Sequence, residues 1–359
     1  MTLRVIIYRL GVIPLLLLLC FLAACSQQDL DQEEQGMVSL KVLASPGTKA
    51  GEGGTATATL PPKEIDIFDL SIFIFNSNGD VIGFTSQDFS DGKPTAVVVK
   101  TRKTTGCSVY AIANAKTLNK NGTSPFDGVS TLSVFKTKYL SFADAKAPND
   151  DKCLLMMGVS SNFDTSSASS ASPATITLKR LASRIDYTIT VKNDNATTFP
   201  IVVDSYQLRN VPTSTFYQQS DFTSPSMPSS TVFADLDKVP TSISSGAATT
   251  SADPYYVYAN ANTDPDPNSS KGTYLDIWAH SEVQGADDTK YTIWKSNFKV
   301  EMPDGKVKPN YHYKIDIVIN GSVTGKNGGV ITKYEAYPYF SGSILNPWGP
   351  NENKDLDLQ

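Results

Sequence analysis

Apolar and polar residues alternate without a break along Ile185-Asp186-Tyr187-Thr188-Ile189-Thr190-Val191, and this run is the clearest indication of the fold. That period of two is typical of a strand with one buried and one exposed face. The run from Tyr311 to Ile319 repeats the pattern and stops at Asn320-Gly321, a turn sequence. Similar short runs, separated by Gly, Pro and Asn, fill two blocks of the chain. The sequence therefore predicts an all-β fold made of two β-sandwiches.

The composition of the 359 residues excludes several classes of function. Hydrophobic residues make up 40% and charged residues 19%, so the chain can build a buried core. Lys and Arg number 31 against 36 Asp and Glu, and a net charge of −5 offers no basic excess for a nucleic acid. Two histidines and four cysteines argue against a His-rich metal centre and against a disulfide scaffold.

The amino terminus has the pattern of a lipoprotein signal peptide. Two arginines precede an apolar stretch, Leu10 to Leu22, which is too short and too broken for a membrane span. It ends in Leu22-Ala23-Ala24-Cys25, which resembles a bacterial lipobox. We therefore predict removal of residues 1–24 and acylation of Cys25; a plain secretory peptide with an incidental Cys is the alternative. Acyl chains on Cys25 would anchor the chain, since each buried methylene adds about 0.8 kcal/mol.

Two further features concern the chain that remains after cleavage. Residues 25–36 form a polar, acidic tether that has little to bury. Cys107 and Cys153 are the cysteines left besides Cys25; they either pair in an oxidising compartment or are simply buried as thiols.

The first predicted strand, Met37 to Ala44, alternates Val38, Leu40 and Val42 with polar residues. A flexible Gly-rich loop, Ser45 to Gly54, follows it. The almost continuously apolar run Ile65 to Phe75 predicts a central strand covered on both faces.

The apolar spacing predicts one helix, and the composition predicts one linker. The spacing of Leu132, Phe135, Tyr139 and Phe142 favours a helix over Thr131 to Lys146. The Ser/Ala-rich stretch Ser160 to Ser172 is typical of a linker. We therefore expect an N-terminal β-sandwich over residues 37–175, with one short helix, and a C-terminal β-sandwich over residues 176–359.

Motifs for catalysis are scarce, so the sequence predicts no enzyme, no cofactor and no metal site. His280, at a strand end, favours a structural role, and His312 lies on the polar face of its strand and is predicted to be solvated. The segment Asp264-Pro265-Asp266-Pro267-Asn268 lacks the Gly and Glu that a calcium loop requires. Trp278 and Trp294 lie within strand patterns and are predicted to pack in the core.

Several of these features occur in the order and spacing of a known family, the fimbrillins of the Bacteroidales, which are the pilins of type V pili. The motifs that carry the resemblance are Cys25, Phe68 to Asn76, Val109 to Ala115, Leu155 to Gly158, Leu178 to Asp186, Asn310 to Ile315 and Asn346-Pro347-Trp348-Gly349. They extend over nearly all of the chain after the signal peptide.

The resemblance implies two transthyretin-like β-sandwich domains and assembly into a fimbrium. In that family a lipidated precursor reaches the outer membrane, and a trypsin-like protease cuts the loop after the first strand. The released strand leaves an apolar groove, and a C-terminal strand of a neighbouring subunit fills it, which is a form of β-augmentation. The implied partners are other fimbrial subunits, the outer membrane and the protease.

The resemblance can be carried onto residues of this chain. The strand to be released contains Val38, Leu40 and Val42, and the cut falls between Lys49 and Ala50, where the family usually has Arg. An ordinary surface loop with a Lys is the alternative. Candidate donor residues lie in the last part of the chain: Val330, Ile331, Tyr337, Tyr339, Ile344 and Leu345.

The sequence therefore leaves two possible functions from different classes. The first is a lipid-anchored fimbrial subunit that polymerises by donor-strand exchange and contributes to adhesion, as shaft, tip or anchor. The second is a surface glycan-binding lipoprotein of a carbohydrate-uptake system, which exposed and clustered Trp residues would favour.

Overall fold

The structure of the protein is a computed structural model. It describes residues 35–44, 61–94, 96–149, 151–166, 174–192, 200–222, 224–244, 248–250, 254–261, 272–284, 290–302, 306–320, 330–338 and 354–356.

The N-terminal part of the chain forms one seven-stranded sheet with the order β3-β2-β5-β7-β8-β1-β4. Its strands are β1 Gln35–Ala44, β2 Asp69–Phe75, β3 Val81–Asp88, β4 Val97–Arg102, β5 Cys107–Ala113, β7 Met156–Phe163 and β8 Ala174–Arg180. The sheet is mostly antiparallel, but β1 runs parallel to β8. Side chains from β1, β4 and β8 pack on those of β2 and β5 in one apolar cluster, so the curved sheet encloses its own core.

Three short helices lie among the described residues: α1 Pro62–Ile65, α2 Ala115–Leu118 and α3 Leu132–Thr137. The prediction of a single helix was therefore wrong, and so was its extent over Thr131 to Lys146. The helix begins where the Thr131 hydroxyl accepts a hydrogen bond from the Val134 amide at 3.3 Å. It ends before Tyr139, because the chain then forms β6 Tyr139–Ser141, which pairs with β12 Ser214–Phe216.

Two more predicted boundaries were wrong. The predicted strand Ile65 to Phe75 begins only at Asp69. Pro61-Pro62 starts α1, and the Asn114 side chain binds the backbone between α1 and β2. The Asn114 amide group donates to the Asp66 carbonyl at 2.9 Å and its oxygen accepts from the Phe68 amide at 2.8 Å. The predicted linker Ser160 to Ser172 begins with residues 160–163 still in β7, where Ser160 pairs with Val109 and Phe163 with Cys107.

The C-terminal part contains two larger sheets that face each other. One has the order β15-β9-β19-β20-β21, with β16 also paired to β9, and the other has the order β14-β10-β17-β18. The strands of the larger sheet are β9 Ala182–Lys192, β15 Ala248–Thr250, β16 Tyr255–Tyr258, β19 Tyr311–Asn320, β20 Val330–Pro338 and β21 Lys354–Leu356. The remaining strands are β10 Ile201–Arg209, β11 Val211–Pro212, β13 Phe233–Ala234, β14 Val239–Ile243, β17 Tyr274–Gln284 and β18 Lys290–Glu301.

Three apolar clusters hold these layers together. The first lies inside the N-terminal sheet and includes Val38 and Leu40. The second surrounds Phe135 and joins β2 and β5 to Tyr217, Tyr256 and Tyr258 from later in the chain. The third lies between the two C-terminal sheets and includes Ile189 and Ile317.

The all-β class is confirmed by this architecture. The boundary between residues 175 and 176 falls inside β8, and the division into two domains stays a prediction. Cys107 and Cys153 are free and buried in different clusters, so the alternative in which they pair is wrong.

Candidate functional site

The candidate site is the position that β1 occupies within the N-terminal sheet. Val38 and Leu40 are completely buried, whereas Met37 and Lys41 on the other face are exposed. The predicted strand Met37 to Ala44 is confirmed, but Ser39, on the same face as Met37 and Lys41, is 3% exposed, so the alternation of buried and exposed residues is incomplete. Burying an aliphatic side chain of this size contributes about 1.5–3 kcal/mol, so the two residues fix the strand in place.

Two strands form the walls of the site, and each covers a different part of β1. Six residue pairs, from Gln35↔Arg102 to Leu40↔Val97, join β1 to β4 in antiparallel register. Five pairs, from Leu40↔Ala174 to Ala44↔Leu178, join it to β8 in parallel register. Within the described residues, Leu40 alone is paired on both sides. We call the space between β4 and β8 the β1 groove.

The floor of the β1 groove is apolar. It is lined by Val97 and Val99 of β4 and by Ile176 and Leu178 of β8, all at most 2% exposed. They belong to the same cluster as Ile72 and Ile74 of the opposite layer. If β1 left, these side chains and the facing backbone groups of β4 and β8 would be uncovered together.

Gly158 of β7 fixes one wall of the groove by letting β8 approach closely. A Cβ atom built on Gly158 would lie 2.7 Å from Ile176 Cγ2 and 2.7 Å from the Thr177 carbonyl oxygen. A larger residue would therefore push β8 outwards and change the width of the groove. Sequence reasoning placed Gly158 in a motif but missed this role, because the contact is between residues far apart in the chain.

The thiol of Cys107 lies in the apolar cluster beneath the groove. Burial, followed by the nearby Asp164 carboxylate, raises the pKa of this thiol. The side chain is therefore protonated and packs as a small apolar group. Cys153 lies in the neighbouring cluster, where burial raises its pKa to about 12.

The predicted site residues are only partly within the described chain. Cys25, Lys49 and Ala50 lie outside the described residues, and so do Tyr339, Ile344 and Leu345. The backbone of Val42 lies in β1, paired with Ile176. Val330, Ile331 and Tyr337 lie in β20, whose backbone pairs along its length with β19, from Ile319↔Val330 to Tyr311↔Pro338.

The other edge of β20 is less fully paired. β21 covers it through Val330↔Leu356, Ile331↔Asp355 and Thr332↔Lys354. No other strand pairs with this edge in the part of the chain that the structure describes. The candidate donor residues therefore begin in β20, which lies near one edge of the larger C-terminal sheet.

The two histidines are held by carboxylates. His280 Nδ1 lies 2.7 Å from Asp204 Oδ1, and the residue lies within β17 rather than at a strand end; its structural role stays a prediction. The prediction that His312 is solvated was wrong: its side chain is 14% exposed, and Nε2 lies 2.5 Å from Asp186 Oδ2. The alternation correctly placed His312 and Asp186 on polar faces, but not side by side on two parallel strands.

The tryptophans do not form an open platform in the described chain. Trp278 is half-buried rather than in the core, so that prediction was wrong, and Lys238 Nζ lies 3.7 Å from the centre of its indole ring. The side chain of Trp294 and all of Trp348 lie outside the described residues, as does Asp264 to Asn268.

An open cavity of about 270 Å³ lies on the described surface near the start of β2. Its polar groups already have partners: Lys116 Nζ lies 2.5 Å from Asp88 Oδ2, and Lys152 Nζ lies 3.7 Å from the centre of the Phe68 ring. Neither a group of residues suited to bind a metal nor a helix long and apolar enough to cross a membrane occurs among the described residues.

Comparison with a family model gives the sequence relationship. The model of the major fimbrial subunit protein (FimA) matches residues 37–200, a range that begins in β1 and ends after β9. The predicted resemblance to fimbrillins is therefore confirmed over this range. None of the curated proteins compared matches the chain.

Solved structures are similar in fold over most of the chain. A Parabacteroides distasonis protein described as a cell adhesion protein is 16% identical, with a TM-score of 0.57, and the match covers 86% of this chain and 98% of the other. A protein of Bacteroides eggerthii with the same description is 15% identical, with a TM-score of 0.57, covering 85% and 96%. A fimbrilin (FimA) from Porphyromonas gingivalis W83 is 14% identical, with a TM-score of 0.52, covering 84% and 99%. All three share the fold of this chain.

Proposed function

We propose that this chain, whose residues 37–200 match the FimA major fimbrial subunits, is a fimbrial subunit of the cell surface with a role in adhesion. It polymerises by exchange of β1 for a strand of a neighbouring subunit. The precursor is anchored in the outer membrane by acyl chains on Cys25, after removal of residues 1–24. A trypsin-like protease cuts between Lys49 and Ala50.

One observation carries this proposal: β1, the strand that precedes the loop with Lys49, lies in the interior of the N-terminal sheet, and its inward side chains fill an apolar groove. Val38 and Leu40 have no exposed surface, and strands flank β1 on both sides. A cut in the loop that follows would leave β1 held only by non-covalent contacts. Its loss would uncover apolar side chains and unpaired strand edges together, which a second strand satisfies best.

The donor in this proposal is the C-terminal segment that contains Val330, Ile331, Tyr337, Tyr339, Ile344 and Leu345. β20 begins this segment, and its nine residues are close in length to the ten of β1. A donor must run antiparallel to β4 and parallel to β8 to replace the backbone pairs that β1 makes.

A reversible lock on β1 tests the exchange directly. Met37 and Lys100 are exposed and lie opposite each other on β1 and β4, at a separation that suits a disulfide. In the double variant Met37→Cys/Lys100→Cys, we expect trypsin to cut after Lys49 but no SDS-resistant ladder until a reductant is added. The single variant Met37→Cys is the matched control and should polymerise under both conditions.

Two further variants test the protease cut and the donor segment separately. The variant Lys49→Ala should stay uncut and monomeric. A chain that ends at Pro338 should be cut and should accept a donor, but it should cap the ladder of the complete chain because it lacks the donor residues beyond β20. Ladder formation by the oxidised double-cysteine variant would disprove the requirement for release of β1.

A further inference from the structure

The helix α1 (Pro62–Ile65) lies between the proposed cut and the first strand that remains, β2. A helix of four residues is not stable by itself, because nucleation costs more than so few hydrogen bonds return. Contacts with the rest of the protein must therefore hold α1. These contacts come from later parts of the chain.

Glu64 is the centre of these contacts and has no exposed surface. Its Oε1 accepts a hydrogen bond from the Tyr256 hydroxyl at 2.7 Å and lies 3.1 Å from Arg184 Nη1. Its backbone carbonyl accepts a hydrogen bond from Arg180 Nε at 2.7 Å, and Arg180 is itself 1% exposed. Arg180 and Arg184 lie in β8 and β9, and Tyr256 lies in β16, so Glu64 joins α1 to the corner where the two parts of the protein meet.

Lys63 is held beside Glu64 by a second set of contacts. Its Nζ donates to the Asn149 carbonyl at 3.1 Å and lies 4.9 Å from the centre of the Tyr256 ring. The Asn149 side chain in turn binds the Tyr256 backbone at 2.9 Å and 2.8 Å. Tyr256 therefore contacts both residues on either side of the Lys63–Glu64 peptide bond.

Burying a charged residue is an expensive way to gain stability, because the charge must leave water. Well-packed apolar residues often stabilise a protein as well or better, whereas removing one partner of a buried pair is costly. We expect such a buried pair to specify where a segment lies rather than to add much stability. Here the position that is fixed is that of the chain just before β2.

The sequence gives this position a special meaning for proteolysis. No Lys or Arg occurs between Lys49 and Lys63, so Lys63 is the next site for a trypsin-like protease after the proposed cut. A cut after Lys63 would fall inside α1 and leave Glu64 at the amino terminus of the lead into β2. That lead is held by the Ile67 amide, which donates to the Gly92 carbonyl at 2.8 Å, and by the contact of Phe68 with Asn114.

We propose that α1 is a latch that protects the Lys63–Glu64 bond from a protease that cuts after Lys49, and that it keeps the chain just before β2 attached at the corner between β8 and β9. The proposal rests on the function proposed above. The latch lets β1 leave alone, because the chain after the cut stays bound through Glu64 and Lys63. A protease reaches the Lys63–Glu64 bond only when α1 detaches, which is a local opening and not global unfolding.

Limited trypsin digestion of the complete chain, read by mass spectrometry, tests the latch. The wild-type product should begin at Ala50, with the product that begins at Glu64 appearing far more slowly. Tyr256→Phe removes the hydroxyl that binds Glu64, and we expect it to accelerate cutting after Lys63 on the order of tenfold, as for the loss of one buried hydrogen bond. The double variant Tyr256→Phe/Arg184→Gln should be faster still.

Tyr258→Phe is the matched control, since Tyr258 is buried two residues away on the same strand and its hydroxyl has no hydrogen-bond partner among the described residues. It should be cut like the wild type. Hydrogen exchange at the Asp66 amide, which donates to the Pro62 carbonyl at 2.8 Å, reports detachment of α1 without a protease. Exchange there should accelerate in Tyr256→Phe while the amides of β2 stay protected; general acceleration would indicate global unfolding instead and contradict a local latch.

Equal cutting after Lys49 and Lys63 in the wild type would overturn the latch. The same cutting after Lys63 in Tyr256→Phe and Tyr258→Phe would also overturn it. The polymer gives a separate result: if the chain cut after Lys49 forms no ladder, the proposed function fails while the latch stands. If the chain cut after Lys49 forms a ladder although the Lys63–Glu64 bond is cut equally fast, only the latch proposal fails.

Discussion

Strands β1 and β19 have the same kinds of neighbours but are held to very different extents. Each runs parallel to one strand and antiparallel to another. β19 has nine residue pairs with β9 and nine with β20, and its central residues are paired on both sides. Among the described residues, β1 has six pairs with β4 and five with β8, and these overlap at Leu40 alone.

Both strands bury apolar side chains on one face. β19 buries Tyr313, Ile315, Ile317 and Ile319, and β1 buries Val38 and Leu40 among its described side chains, which end at Lys41. Both strands are interior by sheet order, so position in the sheet does not distinguish them. For the exchange of β1 proposed above, we expect the smaller overlap of its two ladders to matter, because a strand paired on one side at a time can detach step by step from either end.

The largest loss of stability is expected from a substitution in β19, the more extensively paired strand. Ile317→Ala should lower the free energy of unfolding by about 4 kcal/mol, since the side chain is 1% exposed and its neighbours on both sides resist collapse into the cavity. Urea unfolding followed by circular dichroism measures the change. Thr188→Ala, a half-buried residue on the polar face of β9, is a control that should cost less than 1 kcal/mol.

The same truncation in β1 should cost less. Leu40→Ala should lower the free energy of unfolding by about 2–3 kcal/mol, because the strand and its walls can shift more easily around the cavity. It should also make β1 leave faster after cutting, seen as an earlier ladder on an unheated gel. A larger loss of stability in Leu40→Ala than in Ile317→Ala would contradict the comparison.

Thiol reactivity should separate the groove from the neighbouring core. In the intact protein Cys107 and Cys153 should resist an aromatic disulfide reagent, because both are buried and burial raises the pKa of each thiol. After β1 is cut and removed without a donor, labelling of Cys107 should increase on the order of tenfold, a change of about 1.4 kcal/mol in protection. Cys153 should stay protected, and equal labelling of the two would show that both clusters open together.

The smallest effect is a pH dependence that differs between two carboxylates. Burial raises the pKa of Asp186, but hydrogen bonds from His312 and Arg184 outweigh it, and the folded pKa is lowered from 3.8. The stabilising contribution of Asp186 is therefore present above that value and is lost as the pH falls through the lower, folded pKa. Urea midpoints of the wild type and Asp186→Asn, measured from pH 6 to pH 2.5, should converge towards the acid end.

Asp69 of the N-terminal sheet should show the opposite sign. Burial outweighs the hydrogen bonds from Thr117 and Lys116, and the folded pKa of Asp69 is raised from 3.8. Its contribution is fully present below 3.8 and is lost as the pH rises through the higher, folded pKa. Titration of the two carboxyl carbons by NMR would show which is raised, and a reversed order would refute both assignments.

The sequence predicted the elements of this fold better than their pairing. The period of two correctly placed β9 and β19, because side chains that alternate between core and solvent leave that record locally. Phe135 and Tyr139 misled the helix prediction: both fit a helical spacing, but Phe135 is buried in α3 while Tyr139 is exposed on β6 and lies edge-on to Phe216. Only the partner strand β12 distinguishes the two structures.

The candidate site shows the same limit. Val38 and Leu40 were recognisable as inward residues of a strand, but nothing local indicates that Val97 and Ala174 are the neighbours of Leu40. Glu64 and His312 likewise depend on distant partners, Tyr256 and Asp186, which no local pattern marks. Residues that act through long-range contacts are therefore the part of the site that sequence patterns miss.

The position of β1 before both of its partner strands in the sequence has a consequence for how the protein folds. Its two partner strands, β4 and β8, are synthesised later, and the second of them closes a long loop when it pairs with β1. Pairings between residues far apart in sequence form slowly. We therefore expect the strand whose release is proposed above to dock late during folding, and the partly folded chain to expose the β1 groove until then.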